Sequence, residues 1–341
     1  MAQPALLDRL RYPVVVAPMA GGPSTPGLVT AAAAAGALGF LAAGYKAASA
    51  MTAEIEAVRS AGTEFFGVNV FVPGAPAADR GALARYVADL SAQAAGLGAA
   101  AGEPAWDDDG WEPKIAALLA ARPPIVSFTF GCPAAELVAR FRAAGSLVWV
   151  TVTSPAEAAA AASAGADFLC VQGPEAGAHR GTFTNEDRPA EEPGLIPLIG
   201  EARRVTDLPL VAAGGISDRS AVAAALAAGA SAVQCGTAFL RCPESGAHPA
   251  HKAALADPRF SQTAVTRAFS GRPARGLVNR FMRDHPAAPA AYPEINNATR
   301  PLRSAAAAAG DVERMSLWAG RAYRAAAARQ AAEVVTALCG T

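Results

Sequence analysis

Eight short apolar runs recur along the chain between alanine-rich stretches: Pro13–Ala17, Leu38–Ala42, Phe65–Phe71, Pro124–Phe130, Leu147–Thr153, Asp167–Val171, Pro209–Ala213 and Ala232–Phe239. Each is nearly continuous in its hydrophobicity, with little alternation, which is the pattern of a strand covered on both faces; the intervals between them are long enough for a crossover helix. Eight such units predict an α/β fold, a closed (β/α)8 or TIM barrel. The punctuation agrees. Thr25-Pro26 places a capping residue before a proline in the first helical turn, and Ser154-Pro-Ala-Glu157 has the form of a capping box. Ala-Gly pairs at Ala35-Gly36, Ala144-Gly145, Ala164-Gly165 and Ala228-Gly229 mark helix ends just before the next strand.

Two regions break the rhythm. A polar stretch from Gly96 to Pro113, carrying Trp106-Asp-Asp-Asp-Gly-Trp111, reads as an insertion ahead of a further surface helix, its acidic run a solvated loop. From Arg241 to about Gly310 the βα alternation stops and proline, arginine and aromatic residues take over. That segment predicts a smaller domain, residues 241–311, inserted after the eighth strand, with residues 1–240 and 312–341 forming the barrel. A last amphipathic helix, Met315–Leu338, would close it.

The 341 residues exceed what a barrel needs, about 250, so the extra domain is affordable in length. Hydrophobic residues at 52% and charged residues at 17%, with 29 Lys+Arg against 29 Asp+Glu, describe a soluble globular protein with ample core and no bias toward nucleic acid. Five cysteines without a CxxC pair argue for a reducing compartment. No apolar run is long enough to span a membrane, and the Val14-Val-Val-Ala17 run behind Asp8, Arg9 and Arg11 is too brief for a signal-peptide core. The expectation is a cytoplasmic enzyme, monomer or homodimer, with no membrane partner.

In a parallel barrel, chemistry sits at the C-terminal strand ends, and phosphate commonly binds after strands seven and eight. The seventh predicted strand runs into Gly214-Gly215 and a helix start at Ser217-Asp218; the eighth carries Gln234-Cys-Gly-Thr237. Free backbone N–H groups and a threonine hydroxyl there suit a phosphate monoester, although a tight turn would also explain the paired glycines. Asn69 lies near the end of the third strand and Gln172 directly after the sixth, where a side-chain amide matches the mixed edge of a heterocycle or simply bonds neighbouring backbone. Ala17-Pro18-Met19 ends the first strand and offers backbone atoms and a soft side chain to a ring face, or to the core. Most telling is Val171-Gln-Gly-Pro-Glu-Ala-Gly-Ala-His-Arg-Gly181, which sets His179 in a glycine-rich loop directly after an apolar strand. Histidine has the unperturbed pKa nearest neutrality, so His179 is the candidate catalytic group. His248 and His251 are three apart without a third ligand, and no metal site is expected. No HExxH, Walker A, GxSxG or GxGxxG element is present.

Together Ala17-Pro-Met-Ala-Gly-Gly22, Gly39-Phe-Leu-Ala-Ala-Gly-Tyr-Lys46, Phe66-Gly-Val-Asn-Val-Phe71, the histidine loop, Ala212-Ala-Gly-Gly-Ile216, Gln234-Cys-Gly-Thr237 and Met315-Ser-Leu-Trp-Ala-Gly320 resemble class I nitronate monooxygenases, formerly called 2-nitropropane dioxygenases, over nearly the whole chain. The resemblance implies non-covalent FMN and oxidation of alkyl nitronates, such as propionate 3-nitronate, by O2 without a reduced nicotinamide, detoxifying them to carbonyl compound and nitrite or nitrate. By position, Asn69, Gln172, Gly177, Gly215 and Gln234, Cys235, Gly236 and Thr237 match the family's FMN-binding residues, His179 its active-site histidine, and Trp318 an element bordering the substrate. One departure is Gly177-Ala178 where the family often has two glycines; an alanine there calls for a negative φ. His179 could stabilise the anion when protonated or take an α-proton when neutral. The rival expectation is an FMN barrel taking hydride from NAD(P)H to reduce a quinone or enoyl thioester; a flavin-free phosphosugar enzyme and a non-catalytic flavin binder are further alternatives.

Overall fold

The computed structural model describes residue 7 and residues 9–95, 99–186 and 192–340; Asp8 and the first residue of the acidic insertion, Gly96, lie outside these. All eight predicted strands are present. Strands β1 (Val14–Val16), β2 (Leu38–Ala42), β3 (Gly67–Phe71), β4 (Ile125–Thr129), β5 (Leu147–Val152) and β6 (Phe168–Gln172) pair in order; β7 (Ala178–His179) leaves the barrel, and β8 (Leu210–Ala213) and β9 (Ala232–Cys235) complete it. β9 pairs back onto β1 with Val14 opposite Val233, so the parallel sheet closes. The predicted eighth strand was too long by one turn: Thr237–Phe239 is a 3-10 helix, because the chain must bend away from the barrel at Gly236.

Helices α1 (Pro26–Ala34), α2 (Ala48–Ser60), α3 (Arg80–Ala95), α4 (Trp111–Ala121), α5 (Ala135–Ala143), α6 (Pro155–Ser163), α7 (Leu195–Arg203) and α8 (Arg219–Ala227) connect the strands. Their ends follow local chemistry. Thr25 accepts from the Leu28 N–H and Asp218 from the Ala221 N–H, satisfying donors that a bare helix start would leave open. Ser154 caps α6 by accepting from Glu157 N–H, while the Glu157 carboxylate reaches the Thr153 N–H and hydroxyl. Gly36, Gly145, Gly165 and Gly229 all have positive φ, the left-handed step that ends a helix at low cost only for glycine.

Side chains alternate along each strand, so one set points outward into the helices and the other inward. The inward set is graded. At the N-terminal end Phe40, Trp149 and Phe168 fill the barrel, Trp149 stacked on Phe168 at 4.8 Å between ring centres. Gly67 is required there, since a β-carbon would overlap the Phe40 ring. One layer higher the inward residues turn polar: Asn69 Nδ2 donates to Ser127 Oγ at 2.8 Å and to Thr129 Oγ1 at 3.0 Å. Above that layer the barrel opens.

After β9 the chain forms α9 (Pro249–Ala254), β10 (Thr263–Thr266), β11 (Ala274–Leu277), α10 (Arg280–Asp284) and α11 (Glu294–Ala308). β10, β11 and β7 make a small antiparallel sheet. A second hydrophobic cluster joins Leu83, Tyr86 and Leu90 of α3 to Phe269, Phe281, Ile295 and Leu302, so the barrel's own third crossover contributes to the packing of this segment. The predicted helix Met315–Leu338 is instead an irregular stretch, a 3-10 turn at Tyr323–Ala325, and α12 (Ala331–Cys339); the first part pairs with β11, which a helix could not do. Among the described residues no helix is long and apolar enough to cross a membrane.

Candidate active site

A cavity of about 480 Å³ opens at the C-terminal ends of the strands. Every residue singled out from the sequence lines it. Ala17, Pro18 and Met19 follow β1, Asn69 comes from β3, and Gln172 from the end of β6. Gly177 and His179 belong to the next loop, Gly214 and Gly215 follow β8, and Gln234, Cys235, Gly236 and Thr237 come from β9 and its exit. Trp318 arrives from the distant C-terminal segment.

β11 acts as the ruler that brings the last pieces together. Ala274 pairs with His179 and Gly276 bridges to Trp318, and the two side chains end with ring centres 5.5 Å apart. Phe130 and Tyr292 stand edge-on to the imidazole, each at 5.7 Å. His179 Nε2 lies 2.8 Å from the hydroxyl of buried Ser270. Burial first, then the nearby Arg272 and Arg303 charges, lowers its pKa to about 3. The imidazole is therefore neutral at physiological pH.

The loop that carries it is latched by Gln172, whose Nε2 donates to the His179 carbonyl at 3.0 Å while Oε1 accepts from Arg180 Nη1 at 2.9 Å and from Gly181 N–H at 2.8 Å. Ala178 departs from expectation: its φ is +60°, in the left-handed region, where a β-carbon is strained. The pairing of Ala178 with Arg275 of β11 and the close approach of Gly177 to Ala319 and Gly320 fix the loop path and impose that conformation.

At the other end of the cavity Gly214 and Gly215 both have positive φ, and the Thr237 hydroxyl accepts from Gly320 N–H at 2.9 Å while keeping its own proton. Among the described residues neither the Gly215 nor the Gly236 N–H has a protein acceptor. Beside them starts α8, whose N-terminus favours negative charge. Asn69 Oδ1 and Gln234 Oε1 take no hydrogen bond from a described protein group, although their Nδ2 and Nε2 are engaged, the latter with Cys170 Sγ at 3.2 Å. These donors and acceptors are the groups able to hold a phosphate monoester carrying a heterocycle.

Several cavity residues that sequence reading missed come from non-barrel or strand-exit positions. Arg300 and Arg303 of α11 and Tyr45 after β2 line the cavity, and among the described residues no Asp or Glu does. Burial lowers the Arg303 and Arg272 pKa values to about 10, which leaves both cationic at neutral pH. Arg272 lies over the Phe130 ring at 4.1 Å and donates to the Thr182 carbonyl. His251, far from being half of a metal pair, meets the Trp318 carbonyl at 3.0 Å; a carbonyl only accepts, so Nε2 carries the proton. Its pKa is lowered to about 4 by burial. Among the described residues no group of three or more His, Cys, Asp or Glu side chains is placed to hold a metal. None of these contacts has a periodicity to betray it; the density of arginine and aromatics after Arg241 hinted at those in the C-terminal segment, and Tyr45 lies in the Gly39–Lys46 stretch quoted for the resemblance without a role assigned to it.

A family model described as nitronate monooxygenase matches residues 3–340. A nitronate monooxygenase of Pseudomonas aeruginosa is 41% identical over 348 aligned residues, covering 96% of this chain and 95% of that protein. Among solved structures, a nitroalkane oxidase from Streptomyces ansochromogenes is 49% identical with a TM-score of 0.93, covering 98% of this chain and 96% of that one. FabK from Thermotoga maritima is more distant, 25% identical with a TM-score of 0.73, covering 98% and 93%.

Proposed function

The chain belongs to the nitronate monooxygenase family, and from that membership we propose that it oxidises small alkyl nitronates with O2 on a non-covalent FMN, releasing a carbonyl compound and nitrite or nitrate. The observation that carries the reading is the charge of the cavity: among the described residues two arginines and no carboxylate line a pocket in which the one histidine ringed by aromatic side chains is neutral. Such a pocket takes a small anion and supplies its counter-charge from Arg300 and Arg303.

FMN fits the groups present. The Gly215 and Gly236 N–H groups and the Thr237 hydroxyl would hold the phosphate, and the open carbonyls of Asn69 and Gln234 would meet ring N–H groups. When bound, it supplies the electron-accepting chemistry that the side chains lack. His179 has a narrower task. Its pKa, lowered by burial, favours the neutral ring, which supports giving the counter-charge to the arginines and the role of base to the imidazole. With the Ser270 hydroxyl donating to the Arg272 carbonyl at 3.2 Å, Nε2–H donates to Ser270 and Nδ1 is the basic atom, able to take an α-proton from a neutral nitroalkane.

Oxygen consumption with propionate 3-nitronate, measured with and without NADH, tests the proposal. Uptake that needs no NADH is expected. Rapid anaerobic bleaching of the flavin by NADH or NADPH would replace the proposal with a reductase, and protein purified without a flavin spectrum would remove the oxidation chemistry altogether.

A further inference from the structure

The acidic insertion, read from sequence as a solvated loop, reaches the cavity wall. Tyr45 has φ +66°, an uncommon conformation for an aromatic residue. Its N–H donates to Asp109 Oδ1 at 2.9 Å. Asp109 Oδ2 lies 2.7 Å from Lys114 Nζ, a lysine only 2% exposed, so the carboxylate that pins the Tyr45 backbone is itself held by a buried cation. The rest of the insertion is tied down as a strap. Asp107 accepts from Asp109 N–H and Asn297 Nδ2, Asp108 accepts from Gly110 N–H, and Trp106 Nε1 donates to the Gly74 carbonyl.

The tyrosine thus fixed sets its ring edge-on to Phe71 at 5.4 Å and its hydroxyl 3.1 Å from that of Tyr292. Two phenols joined by one hydrogen bond hold two protons and use one. The second has no protein acceptor among the described residues. Tyr45 lines the main cavity, whereas Tyr292 lines only the small side pocket that adjoins it. The spare proton therefore belongs on Tyr45, with Tyr292 donating to it. On the same wall stand Arg300 and Arg303.

We propose that Tyr45 is a substrate-binding residue, donating its phenolic proton to an oxygen of the planar anion in the cavity, and that Asp109 is the positioning residue that holds it there. The identity of that anion as a nitronate rests on the function proposed above; the placement of the hydroxyl does not. Nitrate, planar and singly charged, is a turnover-free probe of the same oxygen arrangement. Calorimetric titration of the flavin-loaded protein with nitrate, alongside KM and kcat for a nitronate, should be run on Tyr45→Phe, Asp109→Ala and the double variant.

Tyr45→Phe is expected to weaken nitrate binding about tenfold, one lost hydrogen bond to a charged ligand, and to raise KM more than it lowers kcat. Asp109→Ala should reproduce most of that loss, and the double variant should be no worse than Tyr45→Phe alone, the signature of one residue acting through the other. Should Asp109→Ala misfold because it strands Lys114, Asp109→Ala with Lys114→Met removes the buried cation and keeps the comparison. Multiplicative losses in the double variant would overturn the positioning role, and wild-type affinity in Tyr45→Phe would overturn the binding role. Wild-type protein that binds nitrate but consumes no oxygen with any nitronate sinks the proposed function and leaves Tyr45 to be judged by calorimetry; protein that does neither refutes both.

Discussion

The two halves of the cavity wall are built by different rules. The barrel half is made at strand ends, where the period-two alternation that hides Phe40, Trp149 and Phe168 below delivers Asn69, Gln172 and Gln234 above. Its positions are set by the sheet register. The other half comes from the chain after β9 and from the strap at Asp107–Gly110, where Arg272 and His251 are held by hydrogen bonds to carbonyls far along the chain and Arg303 by bonds within α11, to Asn296 and Thr299. One half offers backbone N–H groups and amides, the other positive charge and rings. On the function proposed above, this is a division of labour: the regular half would hold the cofactor, and the irregular half would distinguish one small anion from another.

His179 sits where the halves meet, on a barrel loop but paired to β11, and its removal is the largest expected effect. His179→Asn should lose roughly 100-fold or more in turnover with a neutral nitroalkane, the usual worth of a positioned base, while retaining flavin, because the phosphate-end groups are untouched. Loss of flavin together with activity would mean that the halves are not separable. Turnover of a preformed nitronate should fall much less, since no α-proton is left to remove. Equal losses with both substrates would take proton abstraction out of the role of His179.

A second test loosens only the irregular half. His251 is 8% exposed, and burial lowers its pKa from 6.5 to about 4. In the unfolded chain it takes a proton as pH falls through 6.5, while the folded protein resists protonation until near pH 4. Stability from this group is therefore complete above about 6.5 and is lost progressively as pH falls toward 4, at up to roughly 1.4 kcal/mol per pH unit. His179 adds a loss of the same sign. Urea midpoints compared at pH 7 and pH 4.5 should drop less for His251→Gln than for wild type; carboxylates titrate in both proteins and cancel in the difference. An equal drop would mean that the Trp318 anchor tolerates a charged imidazole.

The same division explains how much could be read from sequence. The eight strands, the helix caps at Thr25 and Asp218, and the strand-end candidates around the cavity were legible because strand hydrophobicity, capping chemistry and glycine turns are local signals, whereas Gly177 and Trp318 were picked out only by the family resemblance. Arg303, Ser270, Tyr45 and His251 were not, because each matters through a partner far along the chain: His179 for the Arg303 charge and for Ser270, Tyr292 for Tyr45, Trp318 for His251. The acidic run shows the limit most clearly. Three successive aspartates look alike in sequence, yet Asp109 alone meets a buried lysine, and that lysine lies in the next helix at a spacing that also fits an ordinary surface ion pair. Expecting a helix over Met315–Leu338 failed for the converse reason: pairing with β11 overrode local amphipathic character.

The smallest predicted effect lies at the seam itself. Ala178 holds φ +60° because the loop must pass from Gly177, packed against Gly320, into the two-residue strand that pairs with β11. A left-handed alanine is disfavoured by roughly 1–2 kcal/mol, and replacing it with glycine returns part of that as extra freedom in the unfolded chain, about 0.5–1 kcal/mol. Ala178→Gly should therefore stabilise the fold by about 1 kcal/mol or less, seen as a higher urea midpoint with an unchanged slope. Flavin content should not move, since the methyl is not among the groups that would grip the cofactor. A lower midpoint would mean that the methyl gains more from packing than its backbone costs. The seam would then be held by side-chain contact as well as by the β7–β11 pairing, and the two halves would be less independent than their construction implies.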